Sequence, residues 1–181
     1  MSAAPYEPIS ADIDPAEIQK ASQDSRQQFE GFGLRVANKA EFSLLAPVIQ
    51  PGGADVFRER AIKAQYEAGF WEGRLGTVHD LRVGLVDNDR QILFAATYSD
   101  DFKPYVADVI KFASPWIDHM FIGVAEGYPG LTHPSAVDYI LKYQVQASVW
   151  YASNPEGSPR NVAKGLRLSA AFDDLLDVAQ S

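Results

Sequence analysis

The chain has 181 residues, 46% hydrophobic, 12% aromatic and 22% charged, the balance of a globular protein long enough to bury about 70% of its unfolded surface in one core. Its 24 acidic against 16 basic side chains give a net charge of -8, a field that repels phosphate backbones and anionic headgroups and argues against nucleic acid and membrane partners. The absence of cysteine excludes disulfides, zinc thiolates, iron–sulfur clusters and a thiol nucleophile, so the fold must stand on packing.

Residues 1–13 combine prolines and small side chains without periodicity and read as a mobile arm ahead of a single domain over 14–181. They lack the basic and apolar regions of a secretion signal, and no later stretch reaches the ~18 apolar residues of a membrane span, which makes the cytoplasm the expected location. Asp14 before Pro15 is a cap and first-turn pair for a surface helix over Ala16 to Phe29, ending at Gly31. FSLLAPVI (42–49), stopped by Pro51-Gly52-Gly53, reads as a buried strand. From Ala54 a helix follows: Phe57, Ala61, Ala64 and Ala68 share one face, and Gly69 is its expected stop.

HDLRVGLV (79–86) and QILFAATYS (91–99) are β-rich runs joined by Asp87-Asn88-Asp89-Arg90, a hairpin connection. The same loop opens like a calcium site but fails as one: the sixth position from Asp87 is Ile92 and the twelfth is Tyr98, where glycine and glutamate are needed. Asp100 or Asp101 caps the next helix, whose stripe is Phe102, Tyr105, Val106, Val109, Ile110 and Ala113 and whose end is expected at Pro115. MFIGVA (120–125) then reads as a strand before the turn residues Gly127, Pro129 and Gly130. A helix from Thr132 or Ser135 runs to about Tyr143, and QASVWYAS is either a short strand or a helical continuation. Ser158-Pro159 starts a last helix with Val162, Leu166, Ala170, Leu175 and Ala179 expected inward.

The resulting order from 41 to 127 is β-α-β-β-α-β, an α+β, ferredoxin-like arrangement: a four-stranded antiparallel sheet with both helices on one face, extended by an N-terminal helix and C-terminal helices. The hairpin strands carry apolar residues on both faces, so the face away from the helices is expected to be covered too. This order, with HDLRVGLVDNDRQILFAATYSDDFKPYVADVI and QVQASVWYASNPEGSPRNVAKGLRL, resembles the dimeric α+β barrel group, and most nearly its small bacterial members of unknown function. The resemblance covers about half of the chain and rests on element order, so it speaks to fold before function. It implies a homodimer paired through the sheet face and a small-molecule ligand held between sheet and helices. The group also contains monooxygenases, haem-degrading enzymes, chlorite dismutases and dye-decolourising peroxidases, which makes haem a candidate cofactor. Against haem stand the lack of a GxxDG segment and of a histidine that aligns with an iron ligand.

Among residues with chemistry, alternation directs His79 to the face of Leu81 and Val83, where an imidazole could act as a base or bind iron or be a hydrogen-bonded core histidine. Arg82 lies opposite with Asp80, able to meet an anionic group or to pair with Asp80, Asp100 or Asp108. These two are the catalytic candidates. Tyr98, Asp100 and Tyr105 are the substrate-binding candidates, with core packing and helix capping as their structural alternatives. His119 is expected at the start of a strand and His133, before Pro134, in a turn. No metal site, G-x-G-x-x-G loop, Walker segment or G-x-S-x-G elbow is legible. Two functions follow: an oxidoreductase acting on a small apolar or aromatic substrate near His79, Arg82 and Tyr98, or a noncatalytic homodimeric module that binds and senses a metabolite.

Overall fold

A computed structural model describes residues 14, 16, 27–28, 33–99, 101–154 and 156–180. Its elements are β1 (Gln27–Gln28), β2 (Leu34–Val36), β3 (Lys39–Pro47), α1 (Gly53–Glu72), β4 (Val78–Val86), β5 (Gln91–Ser99), α2 (Phe102–Phe121), α3 (Ala136–Tyr143), β6 (Gln144–Val145) and α4 (Pro159–Gln180). The fold is α+β around one mainly antiparallel sheet, in the order β1-β2-β3-β5-β4, with β6 pairing β3 at Ser43 and Leu44.

Period-two alternation builds the sheet. Ala40, Phe42, Leu44 and Ala46 of β3 and Ile92, Phe94, Ala96 and Tyr98 of β5 are buried on one face, in register as Leu44↔Phe94 and Phe42↔Ala96. On β4, Val83 stands across from Phe94 and Leu81 across from Ala96. β3 and β4 are both antiparallel to β5 and so run the same way, with β5 inserted between them and α1 making the crossover. Helices α1 and α2 both pack on this face, through Phe57 and Ala64 and through Val109, Ile117 and Phe121. The expected hairpin is present, and Asp87, Asn88 and Asp89 all take positive φ, a conformation that Asp and Asn tolerate better than other side chains. Asp87 pairs with Arg90, and Asp89 with Arg58 of α1.

Four expectations require correction. The strand at 120–125 does not form: Met120 and Phe121 close α2, Ile122 to Val124 turn, and only Ala125 bridges to Val48. Pro115 lies inside α2, not at its end. Buried Ala113, Ile117, Met120, Phe121 and Val124 continue the helical period past the proline, so core packing outweighs the lost backbone bond. Gly69 does not stop α1, which continues to Glu72. The first helix was expected to run to Phe29, but Gln27–Gln28 form a strand paired with Leu34 and Arg35. Of that helix only the cap is described, where the Ala16 N–H donates to Asp14 at 2.8 Å; residues 1–13 and 17–26 lie outside the described residues.

The reverse face of the sheet is closed at one end by the chain itself. Glu41, Thr97 and Ser99 are buried there. Glu41, only 5% exposed, accepts from the backbone N–H of Leu34 at 3.0 Å, from that of Ala147 at 3.3 Å and from the Ser43 hydroxyl at 3.2 Å. Lys39 donates to the Ser153 carbonyl at 2.9 Å. One carboxylate thus fastens both the lead into β2 and the segment after β6. The close approach explains Gly33, where φ is +94° and a Cβ would stand 2.2 Å from the Glu41 carbonyl oxygen.

Candidate functional site

Between α1, α2 and β4 runs a trench of two adjoining hollows, about 340 and 210 Å³, that share Ala68, Leu81 and Trp116 as walls. Its origin is legible in α1. Beside Phe57 and Gln65, α1 turns the small Ala61, Ala64 and Ala68 toward β4, whereas its larger Ile62, Tyr66 and Phe70 face solvent. Alanines cannot fill the gap between a helix and a sheet, so space remains. Trp116 of α2 is fixed over it: its indole N–H donates to the Ala64 carbonyl at 2.9 Å, and its ring stacks on Trp71 at 6.4 Å between centroids. The larger hollow ends at His79 and Asp80.

His79 sits in a β-bulge. Val78 pairs with Tyr98, yet Asp80 pairs with Thr97, so one extra residue enters β4 at this point. A bulge re-aims the side chain it carries, and Nε2 of His79 lies 2.7 Å from Oγ of Ser99, a residue on the face away from Leu81 and Val83. β4 is the edge strand of the sheet, and the bulge lets the ring reach Ser99 while His79 still lines the end of the hollow that Leu81 walls. Burial, helped by Lys39 and opposed by Asp80, lowers the His79 pKa below its usual 6.5. The ring is therefore neutral at pH 7. Ser99, 1% exposed, is too buried to serve as a nucleophile.

The other candidates do not converge on this end. The Arg82 side chain is 74% exposed and 3.4 Å from Asp80, the local pairing anticipated as one alternative. Tyr98 and Tyr105 are buried in the core on the helix side, stacked at 4.2 Å with planes 12° apart. Burial pushes the Tyr98 phenol up to about 12, and that of Tyr105 higher still. The Tyr98 hydroxyl is buried without a hydrogen-bond partner. Asp100 lies outside the described residues. Asp101 occupies the N-cap position of α2 but makes no capping hydrogen bond; its carboxylate is 3.7 Å from Arg35 instead. His119 is in the last turn of α2, not at a strand start, with Nε2 buried and unpartnered. His133 is in a turn, its Nδ1 2.8 Å from the Ser135 hydroxyl.

A second space, about 50 Å³, lies between the sheet and helices α2 and α3, lined by Phe94, Val109, Tyr128, Tyr139 and other apolar or aromatic side chains. It is far below the ~300 Å³ at which ligand pockets begin and is a packing void. Next to it Tyr128 donates to Asp118 at 2.7 Å, and burial together with that bond raises the Tyr128 pKa.

Among the described residues no group of three or more His, Asp or Glu side chains could hold a metal ion. Haem fits poorly: the one imidazole on the trench has its Nε2 engaged by Ser99. Among the described residues no helix is long and apolar enough to cross a membrane. No protein-family model, curated protein or solved structure matches the chain.

Proposed function

We propose that this chain is a noncatalytic small-molecule-binding module of ferredoxin-like order, related to the dimeric α+β barrel group, whose ligand lies in the trench beside β4. The supporting observation is the hollow of about 340 Å³, whose walls include Trp116, Leu75 and Leu81 and whose polar end is His79 and Asp80. A space of ligand size, mostly apolar with few polar groups and one perturbed titratable side chain, is the usual form of a binding site. The order supports the kinship in part: β6 takes the edge of β3 opposite β5, where the fourth strand of a ferredoxin-like sheet would run, although it is only two residues long.

The ligand class follows from the lining. A flat ring suits the wall formed by Trp116, and one neutral hydroxyl or N–H suits His79, whereas Asp80 and the net charge of -8 disfavour carboxylates. Simple phenols and indoles meet these terms. Binding is preferred to oxidoreductase chemistry because the other expected site residues are engaged elsewhere: Arg82 pairs with Asp80 in solvent, and Tyr98 and Tyr105 stack in the core.

Thermal-shift titration with phenol and indole, with benzoate as the control, tests the reading. Saturable stabilisation by the neutral rings, lost in Ala68→Phe and weakened about fivefold in His79→Ala, is expected. Equal stabilisation of the wild type and Ala68→Phe would remove the trench from the proposal.

A further inference from the structure

We propose that α4 is a self-association element, through which two copies of this chain pair antiparallel. This rests on α4 alone and is independent of the trench. Every described side chain from Arg160 to Val178 is exposed. Within that length Leu168 is 62%, Phe172 60% and Leu175 63% exposed. Together with Gly165 they fall at steps of three, four and three, the seam of a two-helix coiled coil, flanked by Val162 and Leu176. The final helix was expected to turn Val162, Leu166 and Leu175 inward, and among the described residues no surface covers them.

Charge identifies the partner. Arg160, Lys164 and Arg167 occupy the first half of α4, and Asp173, Asp174 and Asp177 the second. That arrangement opposes the helix's own dipole, which favours acids at the start and bases at the end. A 22-residue helix so charged and so exposed is marginal alone in water. An antiparallel copy reverses both penalties. With a two-fold axis at Ala170, Phe172 of one copy meets Leu168 of the other and Leu175 meets Gly165. The basic first half of one copy then lies alongside the acidic second half of the other. A parallel pair would set like charges side by side. An anionic bilayer would be repelled by the acidic half and by the net charge of -8.

The surface differs from the sheet face implied by the family resemblance. That face is partly closed by the chain's own segment around Ala147 and Ser153.

Sedimentation of the full chain at high micromolar concentration tests the proposal. The expected species has twice the 19.9 kDa chain mass, falling to one chain in Phe172→Asp with unchanged helical circular dichroism. Should that variant unfold, a charge test on a solvent-facing position still decides. Ser169→Asp, whose charge meets its own copy beside the axis, gives one monomeric chain, Ser169→Lys gives another, and their mixture restores a dimer. Because the chain has no cysteine, Ser169→Cys, next to the axis, is expected to form a disulfide-linked dimer, whereas Val162→Cys links only to Leu176→Cys. A monomeric wild type, a dimer indifferent to both charge variants, or vesicle binding by α4 without dimerisation overturns the proposal.

Discussion

Removing one oxygen atom from Tyr98 is expected to make the protein more stable. The side chain is 0% exposed and its hydroxyl has no hydrogen-bond partner. Burying a hydroxyl without compensation costs about 1–3 kcal/mol by the protein mutational scale. Tyr98→Phe keeps the ring stacked on Tyr105 at 4.2 Å and edge-on to Phe102 at 6.2 Å, so little packing is lost beyond the oxygen itself. Allowing for the small void, the net gain is about 1 kcal/mol, a rise of roughly 2–4 °C in Tm for a chain of this size. The same edit at Tyr128 is expected to act in the opposite sense, because that hydroxyl donates to Asp118 at 2.7 Å. Losing a bond to a charged acceptor costs about 1.5–3 kcal/mol. Urea unfolding of the two variants beside the wild type gives both values, and the account requires midpoints that move in opposite directions with unchanged slope. If Tyr98→Phe lowered stability as much as Tyr128→Phe, its hydroxyl would have a partner and the description of this end of the core would be wrong.

Two further outcomes follow. Glu41→Ala leaves the amides of Leu34 and Ala147 without their acceptor and is expected to cost about 3 kcal/mol, whereas Glu41→Gln, which keeps an acceptor oxygen, costs about 1 kcal/mol; faster hydrogen exchange at both amides in the alanine variant separates this clamp from a general loss of packing. His79 has a folded pKa below its unfolded 6.5, so the unfolded chain binds its proton first and stability falls as pH drops below 6.5, with no dependence from this group above it. His79→Gln removes that part of the slope in pH-dependent unfolding, and an unaltered slope would deny the burial of the ring.

The parts of the fold that could be read from the sequence were those where one periodicity stood alone. In β5 buried and half-buried residues alternate as far as Ala96, and the Asp-Asn-Asp connection accepts positive φ at all three residues. MFIGVA was ambiguous because a short apolar run satisfies both periods. It resolved as helix and turn because Met120, Phe121 and Val124 are spaced to reach the same core as Ile117. The contact of His79 with Ser99 comes at a single inserted residue, which no hydrophobic pattern signals. Glu41 escaped notice as a charge beside an apolar run, although its burial depends on long-range partners at Leu34 and Ala147. The trench did leave a trace: Ala61, Ala64 and Ala68 were legible as an inner face, and three alanines there leave a helix short of its sheet. In α4 the apolar stripe was visible, but whether a stripe finds its cover within one chain is a property of the folded body.

The most direct test of the binding site is a map of where a ligand perturbs the chain. In nuclear magnetic resonance titrations with phenol, the account predicts saturable shifts at the Trp116 indole N–H, the His79 ring and the Leu81 amide, all absent in Ala68→Phe. Saturable shifts centred on Tyr128 and Tyr139, or none at any position, would contradict it.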